Sequence, residues 1–197
     1  LTRNEMMVAT AVTVVGTFTV SGHGYAPTGS WHPEPLANEL HDLGLAARLC
    51  NDASLTLVEG NWQIAGDPME GALLAFAAKT GVEAENWARH DEIPFDAAHR
   101  YMAVLAKHLD GTALALVKGA PERVLGMCKD QAGENGPEPL DVAFWNNAAE
   151  RVASQGQRVL ALATRTLLTE HLDGADLQGH LTLIGFVGLI DLPRDEA

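Results

Sequence analysis

The sequence is short of positive charge: 13 Lys and Arg stand against 26 Asp and Glu in 197 residues, a formal net charge of -13. A duplex-binding surface carries the opposite sign, so nucleic acid is not an expected partner, and a polyanionic ligand needs a local basic pocket. Cysteine is scarce. Cys50 and Cys128 lie in apolar stretches without a CxxC neighbour, which reads as two buried reduced thiols rather than a disulfide or a zinc site. Long hydrophobic runs are also missing. The apolar-and-glycine run Leu183 to Ile190, which no other run exceeds, falls far short of the ~20 residues that carry a helix across a bilayer. Leu1-Thr2-Arg3-Asn4-Glu5 is no basic segment leading into an apolar one, so no signal peptide is read there. It has no initiator Met, and the chain is expected to be an excised piece of something longer.

Aromatic residues make up only 6% of the chain, but hydrophobic residues reach 47%. That content excludes disorder over most of the length. A chain of this size buries about 70% of its unfolded surface and needs no covalent staple. One domain is expected, or at most two small ones.

The first twenty residues read as strand, with Val8, Thr10, Val12 and Val14 alternating with smaller neighbours. Leu36, Leu40, Leu43, Ala47 and Cys50 have the spacing of a helix over 36–50 with one buried face. A short strand is expected over 62–65, a helix over 69–79 stopped by Gly81, and a strand over 100–106. Asp110-Gly111 is a hairpin turn into a return strand over 113–118. A helix follows over 120–127, with Pro121 in its first turn. Gln131 to Pro139, rich in Gly, Glu and Pro, reads as an exposed loop. A helix over 140–155 and strands over 158–165 and 181–190 complete the chain. Helices and hairpin-linked strands without a regular βαβ repeat predict an α+β fold, with a mainly antiparallel sheet flanked by helices.

Familiar catalytic signatures are absent. Lys79-Thr80 follows Ala77-Ala78 instead of glycines, and Gly22-His23-Gly24 lacks a third glycine and a following helix. Neither forms a phosphate loop or a dinucleotide fingerprint. There is no HExxH and no GxSxG. His90, His99 and His108 are nine residues apart, which puts them on no common helix face, so no metal site is read from them.

Three segments are less ordinary. Lys118-Gly119-Ala120-Pro121-Glu122 places a cation at a strand end beside a helix start, where free backbone N–H groups can meet an anion. Taken alone it reads as a strand-to-helix turn with a solvated lysine. Pro94-Phe95-Asp96 offers an aromatic in a turn, able to stack on a base although such residues are more often core. Gly66-Asp67-Pro68-Met69-Glu70-Gly71 reads as a helix N-terminus with acidic residues complementing the dipole.

The order of these segments carries more than any one of them. Thr2-Arg3-Asn4-Glu5-Met6, residues 66–73, Pro94-Phe95-Asp96 with Arg100 and Met102, Lys118 to Glu122, Gly156-Gln157-Arg158-Val159-Leu160-Ala161, and Gly188 to Arg194 follow one another along the chain. This succession resembles the nucleotide-binding domain of a P-type ATPase, a cation-transporting family that phosphorylates its own aspartate, and the resemblance covers essentially the whole length. It implies a single nucleotide-binding domain over 1–197, with 1–5 and 191–197 as hinge segments to a phosphorylation domain. Leu1-Thr2 would end the DKTGTLT motif, with the phosphorylated aspartate just upstream. Thr2, Asp191, Pro193 and Arg194 would be hinge residues.

By the same resemblance Phe95 would stack on adenine, Lys118 and Gly119 would line the deep end of the adenine pocket, and Glu70 would bond near the purine amino group. Arg100 and Arg158 would reach toward the triphosphate of ATP. Mg²⁺ would be held mostly by the phosphorylation domain, no catalytic residue or metal ligand is expected in this chain, and the chain alone would not turn over ATP. The expected partners are ATP and the phosphorylation and actuator domains of the same protein, without direct membrane contact by this segment. The expected location is the cytoplasmic side of an integral plasma (inner) membrane protein. Met69 stands where relatives commonly carry Thr, and Ala97 where some calcium pumps have a further basic residue. Residues 94–102 look most like bacterial type II pumps of the calcium or sodium kind, with magnesium and proton pumps still open. Two rival readings remain: a stand-alone regulatory nucleotide-binding module without a transport role, and a protein-interaction domain in which Phe95 and Lys118 are structural.

Overall fold

A computed structural model describes residues 2–36 and 38–193. Arg194, one of the expected hinge residues, lies outside them. The chain opens with a hairpin of β1 (Thr2–Thr13) and β2 (Gly16–Val20), not with one long strand. The turn falls at Val14-Val15, and these β-branched residues have the same strand preference as their neighbours, which hides the reversal in the sequence. β3 (Trp31–His32) adds to the edge of β2. Helix α1 (His41–Leu49) starts five residues later than its apolar spacing predicts. Asn38 takes a left-handed φ of 74°, so the chain turns there, and Leu36 is left exposed. The other four residues of the predicted face, Leu40, Leu43, Ala47 and Cys50, are buried.

β4 (Ser54–Val58) and β5 (Asn61–Ala65) form a separate two-stranded sheet around a Glu59-Gly60 turn; only the second was expected. α2 (Pro68–Lys79) follows, capped by Asp67, whose carboxylate accepts from the N–H groups of Met69 and Glu70. β6 (Trp87–Ile93) is a further strand without a sequence signal, because it is a largely exposed edge strand of mostly polar residues. β7 (Tyr101–His108), β8 (Ala113–Gly119) and α3 (Pro121–Leu125) come next, close to expectation. The supposed loop at 131–139 is instead a hairpin, β9 (Cys128–Gly133) with β10 (Gly136–Pro139). Its turn-like composition misleads because one polar residue faces inward: buried Gln131 accepts 2.9 Å hydrogen bonds from the Trp145 indole N–H and the Asp141 backbone N–H. α4 (Val142–Ala153), β11 (Arg158–Thr166), the unexpected short α5 (Gly174–Leu177) and β12 (Leu181–Pro193) complete the order.

The main sheet runs β3-β2-β1-β12-β11-β8-β7-β6, with β9 joined in parallel to β12 and every other pairing antiparallel. Side chains alternate across a strand, so β7 sends Tyr101, Ala103 and Leu105 into one core and Met102, Val104 and Ala106 into another. The first core includes Trp145 of α4 and Leu177 of α5 and is centred on Trp145 and Phe186, whose rings lie 4.8 Å apart. The second holds α1 and α2 against the sheet through Leu43, Ala47, Leu73 and Phe76. The expected α+β class with a mainly antiparallel sheet and flanking helices is the observed one. β1 and β12 run side by side, with Met6 opposite Asp191 and Thr2 opposite Pro193.

Candidate functional site

Alternation along β8 decides where Lys118 points. It is registered between Met102 of β7 and Leu162 of β11, both members of the α1–α2 core. The lysine therefore projects toward the helices and is buried, not solvated as the segment alone suggests. Glu70, in the first turn of α2, meets it there: the ammonium donates to Glu70 Oε1. Only 10% of the lysine side chain and 16% of the glutamate side chain are exposed, so each charge depends on the other. Gly119 is required by close approach. A Cβ at this position would lie 2.5 Å from the Arg100 carbonyl oxygen and 2.8 Å from Tyr101 Cβ.

The turn 94–100 forms the opposite lip. Asp96 holds it from both ends, its carboxylate accepting from Ala98 N–H and its carbonyl from Arg100 N–H at 2.7 Å. Arg100 takes a left-handed φ of 58°, uncommon for a residue with a Cβ. Its guanidinium donates to Glu122 of α3. Phe95 projects from this turn with 64% of its surface exposed, an unusual placement for a large apolar ring with no polar handle. Across from it Arg158, at the start of β11, donates to Met69 Sδ at 3.1 Å. Among the described residues Arg158 has no carboxylate partner.

Between these walls lies a cavity of about 550 Å³. Glu70, Phe95, Arg100, Lys118, Gly119 and Arg158, the six binding residues named from the sequence, all line it, whereas Asp191 and Pro193, two of the expected hinge residues, do not. Its floor is apolar, from Met69, Met102, Val159 and Leu160. Three carboxylates also line it, and each is occupied. Asp67 caps α2, Glu70 meets Lys118, and Asp52 accepts from Arg89 at 2.7 Å. Asp52 was not named from the sequence. It follows directly on the buried Cys50-Asn51 end of α1, where a polar pair leaving a helix looks like ordinary turn chemistry.

Other candidates disperse. His90 bonds Glu170 on the surface, the His99 ring rests 4.5 Å from Tyr101, and His108 sits against Trp87. Both cysteines are free; Cys50 is fully buried, but Cys128 is only half-buried, contrary to expectation. Burial pushes the Cys50 thiol up to about 11, against the lowering influence of the nearby Lys118, and pushes Cys128 up to about 12. Neither is poised to act as a nucleophile at neutral pH. Among the described residues no group of three or more His, Cys, Asp or Glu side chains could hold a metal ion, and no helix is long and apolar enough to cross a membrane.

Residues 39–196 match the family described as P-type ATPase, cytoplasmic domain N. The chain belongs to this family. It is 36% identical to the cation-transporting ATPase pma1 of Synechocystis over 216 aligned positions, covering the whole of this chain and 24% of that protein. It is 38% identical to the probable cation-transporting ATPase F of Mycobacterium tuberculosis and 32% identical to the calcium-transporting ATPase of Bacillus subtilis, again over its whole length. The N-domain chain thus spans about a quarter of the length of these curated relatives. Its antiparallel sheet and flanking helices are the architecture of a domain N.

Proposed function

We propose that the cavity holds ATP by its adenine and presents the γ-phosphate to an aspartate on a neighbouring phosphorylation domain of the same cation-transporting protein. One observation carries the reading: an exposed phenylalanine and three cations face a single apolar-floored cavity in a domain of strongly negative net charge. An aromatic face supplies stacking, the floor excludes water, and the cations offset the repulsion of a polyphosphate. In this reading Phe95 stacks on the purine, while Glu70, Lys118 and Gly119 form the deep end. Arg158 is the cation most available to the phosphates, since Arg100 already has Glu122 as a partner.

The chemistry is in-line phosphoryl transfer, in which positioning supplies much of the catalysis. Mg²⁺ accompanies the nucleotide and is held mostly by the phosphorylation domain, which also carries the acceptor, so this chain alone is not expected to hydrolyse ATP. The paired ends of β1 and β12 suit residues 1–5 and 191–197 as hinge segments, because an inserted domain must leave its host beside the point where it enters. In the complete protein the domain then lies on the cytoplasmic side of a membrane pump and works with the phosphorylation and actuator domains.

Titration of the 197-residue chain with ATP, followed by amide shifts, tests the site. Binding is expected to be weak, on the order of 0.1–10 mM, with shifts centred on Phe95, Lys118 and Glu70. Stacking contributes ~1–3 kcal/mol, so Phe95→Ala should weaken binding roughly 5- to 150-fold. ATP that leaves these three residues untouched, or a Phe95→Ala variant that binds like the parent, removes the assignment.

A further inference from the structure

Arg89 lies on edge strand β6 and does not line the cavity, yet it grips the wall that does. One guanidinium nitrogen, Nη1, donates to the Asp52 carboxylate at 2.7 Å and also to Glu92, and Nη2 donates to the Asn51 carbonyl oxygen. Asn51 carries the grip inward. It is buried, and its side-chain amide donates to the Ala47 carbonyl at 3.1 Å and the Glu70 carbonyl at 2.9 Å, while its oxygen accepts from Ala53 N–H at 2.9 Å. A planar fork that binds a carboxylate and a backbone oxygen together fixes direction as well as charge.

Asp52 is the carboxylate of the cavity wall with most freedom. Asp67 is tied down by a helix N-terminus and Glu70 by Lys118, whereas the Asp52 side chain is 55% exposed and has Arg89 as its ion-pair partner. Without Arg89, an uncompensated negative charge would face the ligand cavity in a protein that already carries a net charge of -13. That charge would penalise a polyphosphate and spare a neutral nucleoside.

We propose that Arg89 is a positioning residue of the nucleotide site, acting through Asp52: it holds and neutralises a cavity-wall carboxylate that would otherwise repel the phosphates. The inference rests on the ATP-binding reading above. Arg89→Met should weaken ATP about three- to tenfold and adenosine less than twofold, with the difference shrinking as salt rises. Adding Asp52→Asn to Arg89→Met should bring ATP affinity back to within about twofold of the parent, because the harm lies in the orphaned charge. Titrations of ATP and adenosine into the parent chain, both single variants and the double variant measure this, with a urea midpoint for each. An Arg89→Met variant that binds ATP like the parent overturns the proposal. So does one that loses ATP and adenosine alike without recovery on adding Asp52→Asn, since that marks a merely structural role. If Arg89→Met does not fold, Arg89→Lys is read in its place. An unchanged ATP-to-adenosine ratio supports the proposal, because the charge beside Asp52 is kept, and a selective loss of ATP overturns it. If Phe95→Ala and Lys118→Ala also leave ATP binding intact, the ATP reading itself has failed. If those two weaken ATP and the Arg89 variants do not, only the role of Arg89 has.

Discussion

Lys118→Met tests how far the Glu70–Lys118 pair holds the site together. Methionine keeps most of the aliphatic length and removes the ammonium, leaving the Glu70 carboxylate facing Met102 and the buried Cys50 side of the core. Removing one partner of a fully buried pair costs about 3–5 kcal/mol. Glu70 retains 16% side-chain exposure, so water recovers part of this, and a loss of about 2–3 kcal/mol is expected. A domain with stability of about 5–15 kcal/mol stays folded after such a loss. Glu70→Gln should cost less, about 1–2 kcal/mol, because the amide oxygen still accepts from the ammonium. The double variant should recover part of the summed loss, with a coupling of about 1–3 kcal/mol. Urea unfolding at fixed slope gives these numbers. Repeating it in high salt should change the coupling little, since a buried pair is poorly screened. A Lys118→Met cost below about 0.5 kcal/mol, or single losses that simply add, would show a solvated pair and refute the reasoning.

Gly119→Ala should destabilise the chain by about 2–4 kcal/mol, because its Cβ would strike the Arg100 and Tyr101 backbone, which cannot swing away; thermal or urea unfolding reads this directly. The thiols set a limit on alkaline stability. Both keep their protons longer in the folded chain than in the unfolded one, so their contribution is complete below the unfolded value of about 8.5 and is lost as pH rises through about 11 and 12. A Cys50→Ala/Cys128→Ala variant should show a shallower fall in urea midpoint between about pH 8 and pH 10, and in the parent neither thiol should react with a thiol reagent at neutral pH until the chain unfolds. If the cavity holds ATP as proposed, Arg158→Ala should weaken ATP more than adenosine, and more at low salt than at high, because its guanidinium would meet the phosphates across solvent; calorimetry at two ionic strengths checks it.

Much of the candidate site was legible without coordinates, because its residues sit in local segments whose chemistry survives in one dimension. A capped helix start puts Asp67 and Glu70 together, a strand-to-helix junction presents Lys118 and Gly119, and an aromatic turn carries Phe95. Their order along the chain pointed to the family, and the α+β class followed from helices mixed with hairpin-linked strands. Elements whose signal is weak or shared with their surroundings were not legible. β6 and the β9–β10 hairpin are polar, so their pairing with the sheet, and not their own hydrophobic alternation, makes them strands. The reversal at Val14-Val15 is hidden by residues that favour strand on both sides. Only the tertiary structure decided that Lys118 faces the helices and is buried against Glu70, 48 positions away, since the direction of a strand side chain depends on which face the helices cover. It alone brought Arg89 up behind Asn51 and Asp52, the last of which lines the cavity. Hydrogen bonds between side chains and backbone of distant segments depend on packing, and packing leaves no periodic trace in the sequence.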